Sequence, residues 1–288
     1  MTDKRPLGKS GISVRAIGLG GMPMSIRRDG PAEADAIRTI HAALDAGTDF
    51  IDTADVYYHD DSDIGHNERL IAKALKSWNR GKAVVATKGG LTRPGGRWER
   101  DARPESLRRA CERSLKALGV EAIALYQLHA PDSKVTFADS VGALSRLREE
   151  GKILHAGLSN VSLAQLDEAL KIVRVESVQN QLNPQDREDL DNGLVKACAE
   201  RSVAYLPYCP VGGGHGHASL AKHPKLQSLA QKHKTSPYCV VLSWLLAQGA
   251  NVIPIPGASR VESAVDSPRA LDVHLSEDDL SVVASLKA

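Results

Sequence analysis

From residue 14 to residue 255 the chain repeats one device: a short run rich in Val, Ile and Leu, then a longer stretch whose apolar residues recur with helical period. The short runs are VRAIGLG (14–20), DFIDT (49–53), AVVATK (83–88), IALYQLH (123–129), LHAGLS (154–159), SVQ (177–179), VAYLPY (203–208) and NVIPI (251–255). Between them the pattern predicts helices over 32–46, 67–77, 104–118, 136–149, 162–172, 192–200, 220–233 and 237–247, with a last one over 276–286. In the first of these Ala36, Ile40, Ala43 and Leu44 share a face and Gly47 supplies the stop; Gly119 and Gly151 do the same later in the chain. Parallel strands need crossover connections, and eight such units in 288 residues point to a closed (β/α)8 TIM barrel of the α/β class. An open doubly wound sheet would carry GxGxxG between its first strand and first helix; GLGGMPMSI (18–26) lacks that spacing and does not enter a helix directly. The hydrophobic fraction of 42% can fill one large core and no low-complexity linker interrupts the chain, so one domain over 1–288 is expected.

Charge narrows the partners. Lys plus Arg number 37 and Asp plus Glu 35, a net +2 that offers no strong field for nucleic acid or an anionic membrane. The expected partner is a small molecule. The opening MTDKRPLGKSG lacks the apolar core of a signal peptide and no run of 18 apolar residues follows, which leads us to expect a soluble, cytoplasmic protein. Cys111, Cys198, Cys209 and Cys239 are widely spaced with no CxxC pair, which suits reduced packing thiols rather than a disulfide frame or a zinc site.

A barrel forms its site at the C-terminal ends of its strands, so the last residues of each run carry the chemistry. The second run ends at Asp52 with Tyr57 just beyond, the third at Lys88 and the fourth at His129; the fifth adds Ser159 and Asn160, the sixth Gln179 and the seventh Tyr208. A free phenol, with its pKa near ~10, gives up a proton reluctantly unless a cation favours the phenolate, and Lys88 is the cation at hand. A buried ammonium needs compensation in turn, which Asp52 can provide. His129 would hydrogen-bond a substrate oxygen and orient it toward the phenol. This set would protonate a carbonyl oxygen as hydride reaches the carbon.

The segments that carry these residues, PLGKSGISVRAIGLGGMPMS, DAGTDFIDTADVY, NERLIAKAL, VVATKGG, LYQLHAPD, LREEGKILHAGLSN, VQNQLN, YLPYCPVGGG and IPIPGASRVESA, stand in an order and at separations that resemble the aldo-keto reductases over nearly the whole chain. The resemblance implies an NAD(P)H-dependent barrel reducing an aldehyde or ketone, with a tetrad of Asp52, Tyr57, Lys88 and His129 and Tyr57 as proton donor. It selects Tyr57 rather than Tyr58 by spacing from Asp52. It implies that Ser159, Asn160 and Gln179 grip the nicotinamide carboxamide while Tyr208 stacks on the ring, and that Gly21, Met22, Pro210 and Gly212 also border the cofactor. For the adenosine side it implies Gly257, Ser259, Arg260, Ser263, Asp266 and Ser267. Arg260 is the one cation there, so NADPH is expected, with NADH as the alternative cofactor.

This chain departs from the family pattern in two places. Asp266-Ser267 stands where a Glu-Asn pair is common, and Gly257 and Ser263 where many members have basic residues. The chain also ends soon after its final helix, without the long C-terminal loop of some members, which implies a relatively open pocket. Tyr58, His59 and Trp98 are read as substrate-pocket lining, Trp98 from the loop TRPGGRWERDARP (92–104). The histidines and acids of YYHDDSDIGH (57–66) and GGGHGH (212–217) cluster in two glycine-bordered loops rather than on converging strand ends, so no metal site is expected. Within the family a second reading stays open, a cofactor-binding regulatory or sensing barrel with little turnover.

Overall fold

The computed structural model describes residues 4–26 and 29–286, the side chains at 214–215 excepted. A hairpin opens the chain: β1 (Lys4–Pro6) and β2 (Ser13–Arg15) pair antiparallel, with Lys4 opposite Arg15. Its Leu7 and Val14 are fully buried among Phe50, Ala86, Leu125, Leu206 and Ile253, so the hairpin closes one end of the barrel interior. Gly8 makes the approach there: its φ is +62° and a Cβ would lie 2.3 Å from Glu176 Oε2.

The barrel strands are β3 (Leu19–Gly20), β4 (Phe50–Asp52), β5 (Val84–Gly89), β8 (Ile123–Leu128), β9 (Ile153–Ser159), β10 (Val175–Gln179) and β11 (Ala204–Tyr205), all parallel and in that spatial order. Between β5 and β8 a small antiparallel hairpin, β6 (Leu91–Thr92) with β7 (Glu99–Arg100), rises from the rim. Residues 251–257 join the two edges of the sheet. On one side Tyr205 N donates to Asn251 O (2.8 Å) and Ile253 N to Tyr205 O (2.8 Å). On the other, Gly18 N donates to Pro254 O and Gly20 N to Pro256 O, both at 2.9 Å. Proline has no N–H, so this eighth run accepts from β3 and donates nothing back. That is why it forms bridges at Val252 and Gly257 instead of the regular strand expected over 251–255.

Helices cover the outside: α1 (Glu33–Asp45), α2 (His66–Trp78), α3 (Pro104–Leu118), α4 (Phe137–Glu149), α5 (Leu163–Ala169), the single turn α6 (Glu188–Asp191), α7 (Leu194–Glu200), α8 (Gly213–Lys222), α9 (Pro224–Lys232), α10 (Pro237–Leu246), α11 (Val261–Asp266) and α12 (Glu277–Ala284). Most are amphipathic, as α3 is with Leu107, Ala110, Cys111 and Ser114 inward, Pro104 in its first turn and left-handed Gly119 at its end. No described helix is long and apolar enough to cross a membrane.

Two expectations give way to the structure. The run 14–20 is not one strand: residues 13–15 belong to the hairpin and only 19–20 to the barrel, because a short apolar run does not reveal which sheet its halves join. The helix expected over 220–233 is two, broken at His223, whose extended backbone (ψ 125°) is what a residue preceding proline favours. The first of the two starts at Gly213, so the glycine-rich stretch 212–217 enters α8 rather than forming a loop.

Candidate active site

Register brings the strand-end residues together. Asp52 on β4 pairs with Ala86 on β5, and Lys88 lies two residues further, on the same face of the pleat. Lys88 pairs with Gln127 of β8, Gln127 with Gly157 of β9, and Gly157 with Ser177 of β10, so one polar layer crosses the barrel below the rim. Gly157 leaves the room for it: a Cβ there would stand 2.3 Å from Ser177 Oγ and 2.9 Å from Gln127 Cγ. His129 follows the last residue of β8, and its N–H donates to Gly89 O at 2.9 Å. Tyr57 sits in the turn after β4, where its N–H donates to Ala54 O (3.1 Å) and its carbonyl accepts from Asn67 N (3.3 Å).

Lys88 is fully buried and fully occupied. Its Nζ donates to Asp52 Oδ2 at 2.6 Å, to Thr53 O at 2.9 Å and to the Tyr57 hydroxyl at 3.1 Å. The other oxygen of Asp52 accepts from two amides, Gln179 Nε2 at 2.7 Å and Gln127 Nε2 at 3.3 Å. Ser177 Oγ donates to Gln127 Oε1 at 3.1 Å, which turns the Gln127 amide nitrogen toward the carboxylate. Burial alone would drive the Lys88 ammonium to lose its proton, but the Asp52 charge and the phenol outweigh burial and hold its pKa above the ordinary lysine value. Tyr57 differs from the expectation of a depressed phenol. Burial raises its pKa by more than Lys88 lowers it, and the nearby Asp52 carboxylate adds to the rise, so the net direction is up. Tyr57 is therefore protonated. His129 is pushed well below the ordinary histidine value, first by burial and then by the Lys88 charge, and stands as a neutral imidazole. Its ring meets Tyr57 edge-on, with centroids 5.8 Å apart, and Trp98 from the β6–β7 hairpin approaches it edge-on at 6.3 Å.

Of the other residues singled out in the sequence, Ser159 and Gln179 are buried at the ends of β9 and β10, and Asn160 is exposed beyond them with a left-handed φ of +58°. Asn160 ties the rim, donating to His129 O (2.9 Å) and accepting from the Tyr208 hydroxyl (2.8 Å). Gln179 is turned inward onto Asp52. Gly21 N donates to Asp52 O at 2.8 Å, and Met22 packs against Ala54, Val56, Tyr57 and Tyr58. Pro210 is buried, and Gly212, at φ +86°, precedes α8. Gly257 is exposed beside Gly20, where a Cβ would lie 2.7 Å from Pro23. Ser259 is half-buried and Arg260 exposed at the start of α11. Ser263, Asp266 and Ser267 are engaged within the chain: Ser267 Oγ donates to Ser263 O, and Asp266 accepts from Ser236 Oγ and pairs with Arg269. Tyr58 is buried and His59 exposed. Among the described residues no group of three or more His, Cys, Asp or Glu could hold a metal ion.

Gln127, Ser177 and the Thr53 carbonyl also belong to the site, although they are not among the residues singled out by strand-end position. The signal for Gln127 was present: it is a polar residue inside an apolar strand run, two positions before His129.

The profile of the aldo/keto reductase family matches residues 16–288. A curated relative, "Probable aldo-keto reductase 1" of Glycine max, is 35% identical over 95% of this chain and 86% of its own length. Among solved structures, the glycerol dehydrogenase of Gluconobacter oxydans superposes with a TM-score of 0.87 at 27% identity, covering 98% of this chain and 94% of that one. An aldo-keto reductase of Klebsiella pneumoniae, solved in complex with NADPH, superposes with a TM-score of 0.82 at 25% identity, covering 98% and 94%. The open 7-strand parallel sheet, joined edge to edge through residues 251–257, is thus the (β/α)8 barrel of these structures. With the family profile spanning all but the opening hairpin, the chain belongs to the aldo/keto reductase family.

Proposed function

We propose that this protein reduces an aldehyde or ketone to the alcohol with NADPH, Tyr57 donating the proton. The observation that carries the reading is Lys88 Nζ held between Asp52 and the Tyr57 hydroxyl in a site where all three side chains are buried. A protonated phenol beside a neutral imidazole can present two hydrogen-bond donors to one carbonyl oxygen. When Tyr57 passes its proton to the developing alkoxide, the ammonium 3.1 Å away stabilises the phenolate left behind. Asp52 keeps that ammonium charged throughout. Trp98 and Tyr58 would wall the pocket on the apolar side.

The residues at the rim fit a nicotinamide dinucleotide. Gly257 is exposed in a stretch where the barrel closes on Gly20, and Arg260 is an exposed cation that pairs with no described residue. Ser159, Asn160, Gln179 and Tyr208 would hold the nicotinamide end, with Gly21, Met22, Pro210 and Gly212 beside it, and Ser259 with Arg260 the ribose phosphate. NADPH, when bound, supplies hydride to the carbonyl carbon. The reductase of Klebsiella pneumoniae supports this choice by its own complex.

A screen of aldehydes and ketones that follows cofactor absorbance tests the reading. Steady oxidation of NADPH with at least one substrate class is expected. Binding that quenches cofactor fluorescence without turnover across the panel would overturn it in favour of a sensing barrel.

A further inference from the structure

Behind the Tyr57 turn lies a pair of carboxyls that proton donation to substrate does not use. Asp55, two residues before Tyr57, is 2% exposed, and Glu68 on α2 is 0% exposed. One cation serves both: Arg113 of α3, whose Nη2 lies 3.1 Å from Asp55 Oδ2. Glu68 Oε1 accepts the hydroxyl of Thr87, the neighbour of Lys88, at 2.5 Å. The remaining oxygens, Asp55 Oδ1 and Glu68 Oε2, are buried with no hydrogen-bond partner, as is Ser114 Oγ on α3. Two ionised carboxylates in so dry a place would leave two anionic oxygens desolvated against a single half-exposed guanidinium. One proton on the pair removes the second buried charge.

We propose that at neutral pH Glu68 holds a proton while Asp55 is ionised against Arg113, and that this singly protonated pair positions the turn that carries Tyr57. The assignment follows from the partners: Asp55 has the cation, whereas Glu68 faces hydroxyls only, Thr87 on Oε1 and Ser114 of α3 close by. Burial pushes Asp55 up to about 6 and Glu68 up to about 7, the Asp55 charge adding to the latter. Other groups face the pair. Lys88 and Arg113 favour ionisation of Asp55; Tyr126 of β8 and Cys111 of α3 are neutral, their own ionisation pushed up by burial; Arg69 is engaged by Asp63 and the Ile64 carbonyl. The turn itself is pinned at three carbonyls, Thr53 by Lys88 Nζ, Asp55 by Gly65 N (2.8 Å) and Tyr57 by Asn67 N (3.3 Å). Loss of the Glu68 proton adds a second buried anion beside these anchors and loosens them.

The sign is fixed by linkage: a carboxyl with a raised folded pKa binds more protons folded than unfolded, so its ionisation costs stability as pH rises from the ordinary glutamate value of 4.5 through about 7. Glu68→Gln copies the protonated acid. It should match wild-type thermal stability below pH 4.5, exceed it increasingly as pH rises through about 7, and keep that margin at higher pH. Infrared spectroscopy of wild-type protein at neutral pH should show a protonated-carboxyl stretch that disappears in Glu68→Gln. Asp55→Asn removes the charge that adds to burial at Glu68, so it should move the loss of the band to lower pH. The reduction rate of the wild type should decline through an ionisation near 7 that Glu68→Gln lacks. Absence of the band in the wild type, or a Glu68→Gln variant less stable than wild type at every pH, would overturn the proposal. Only the rate measurement rests on the proposed carbonyl reduction; the thermal and infrared measurements read the proton without turnover, so the two ideas fail separately.

Discussion

Lys88 Nζ lies 2.6 Å from Asp52 Oδ2 with neither side chain open to solvent. Breaking such a pair from one side leaves an uncompensated charge in the barrel, which costs about 3–5 kcal/mol. Lys88→Met should therefore lower thermal stability by that order and abolish most reduction. The pH dependence supplies the sharper check. Because the folded pKa of Lys88 stands above its unfolded value of 10.5, the stability it contributes is fully present below that value and is lost as pH rises through the folded one. Wild type should lose this increment at alkaline pH, and Lys88→Met should not; parallel alkaline stability curves would show that Lys88 is not the ionised partner of Asp52.

Tyr57→Phe removes the hydroxyl while leaving the ring in its cluster with Met22 and Tyr58. Reduction should fall by roughly 10²-fold or more, the scale of losing a general acid. Cofactor affinity, read by fluorescence titration, should change little. Near-native turnover would move the donor role to Tyr58.

For His129 the direction of linkage is the reverse of that for Lys88. Its folded pKa lies below 6.5, so unfolding takes up a proton in acid and the contribution of neutral His129 is lost as pH falls below that value. His129→Gln keeps a neutral donor and removes the titration. Its melting temperature should decline less than that of wild type between pH 7 and pH 5, to the extent of one group ionising. An equal acid decline in both proteins would mean that His129 titrates normally.

Arg260→Ala tests cofactor choice. A guanidinium can meet a ribose phosphate with two parallel charge-assisted hydrogen bonds, and Ser259 can add a third contact, together ~2–3 kcal/mol or on the order of 10²-fold in favour of NADPH. The substitution should weaken NADPH binding by that factor and leave NADH binding nearly unchanged. Equal weakening of both, measured by titration, would show that Arg260 does not read the phosphate.

What the sequence determined by itself is local. Helical and strand periods depend on neighbours along the chain, so helices such as Pro104–Leu118 and Phe137–Glu149, and the strand ends that carry Asp52, Lys88 and Ser159, were legible from residues alone. The choice of Tyr57 over Tyr58 rests on the resemblance to the aldo-keto reductases, and in the structure the Tyr57 hydroxyl accepts from Lys88 Nζ. Contacts between segments far apart in sequence were decided by the tertiary structure. Residues 251–255 read as an eighth strand, but they close the barrel through the carbonyls of Pro254 and Pro256, so isolated bridges form there in place of a regular ladder. Gln127 reaches Asp52 across 75 residues because Gly157 leaves a gap between strands, and Glu68 faces Asp55 because α2 packs over the turn. Even the direction in which the Tyr57 phenol shifts belongs to the folded state, since desolvation exists only once the other strands enclose the site and here exceeds the attraction of Lys88.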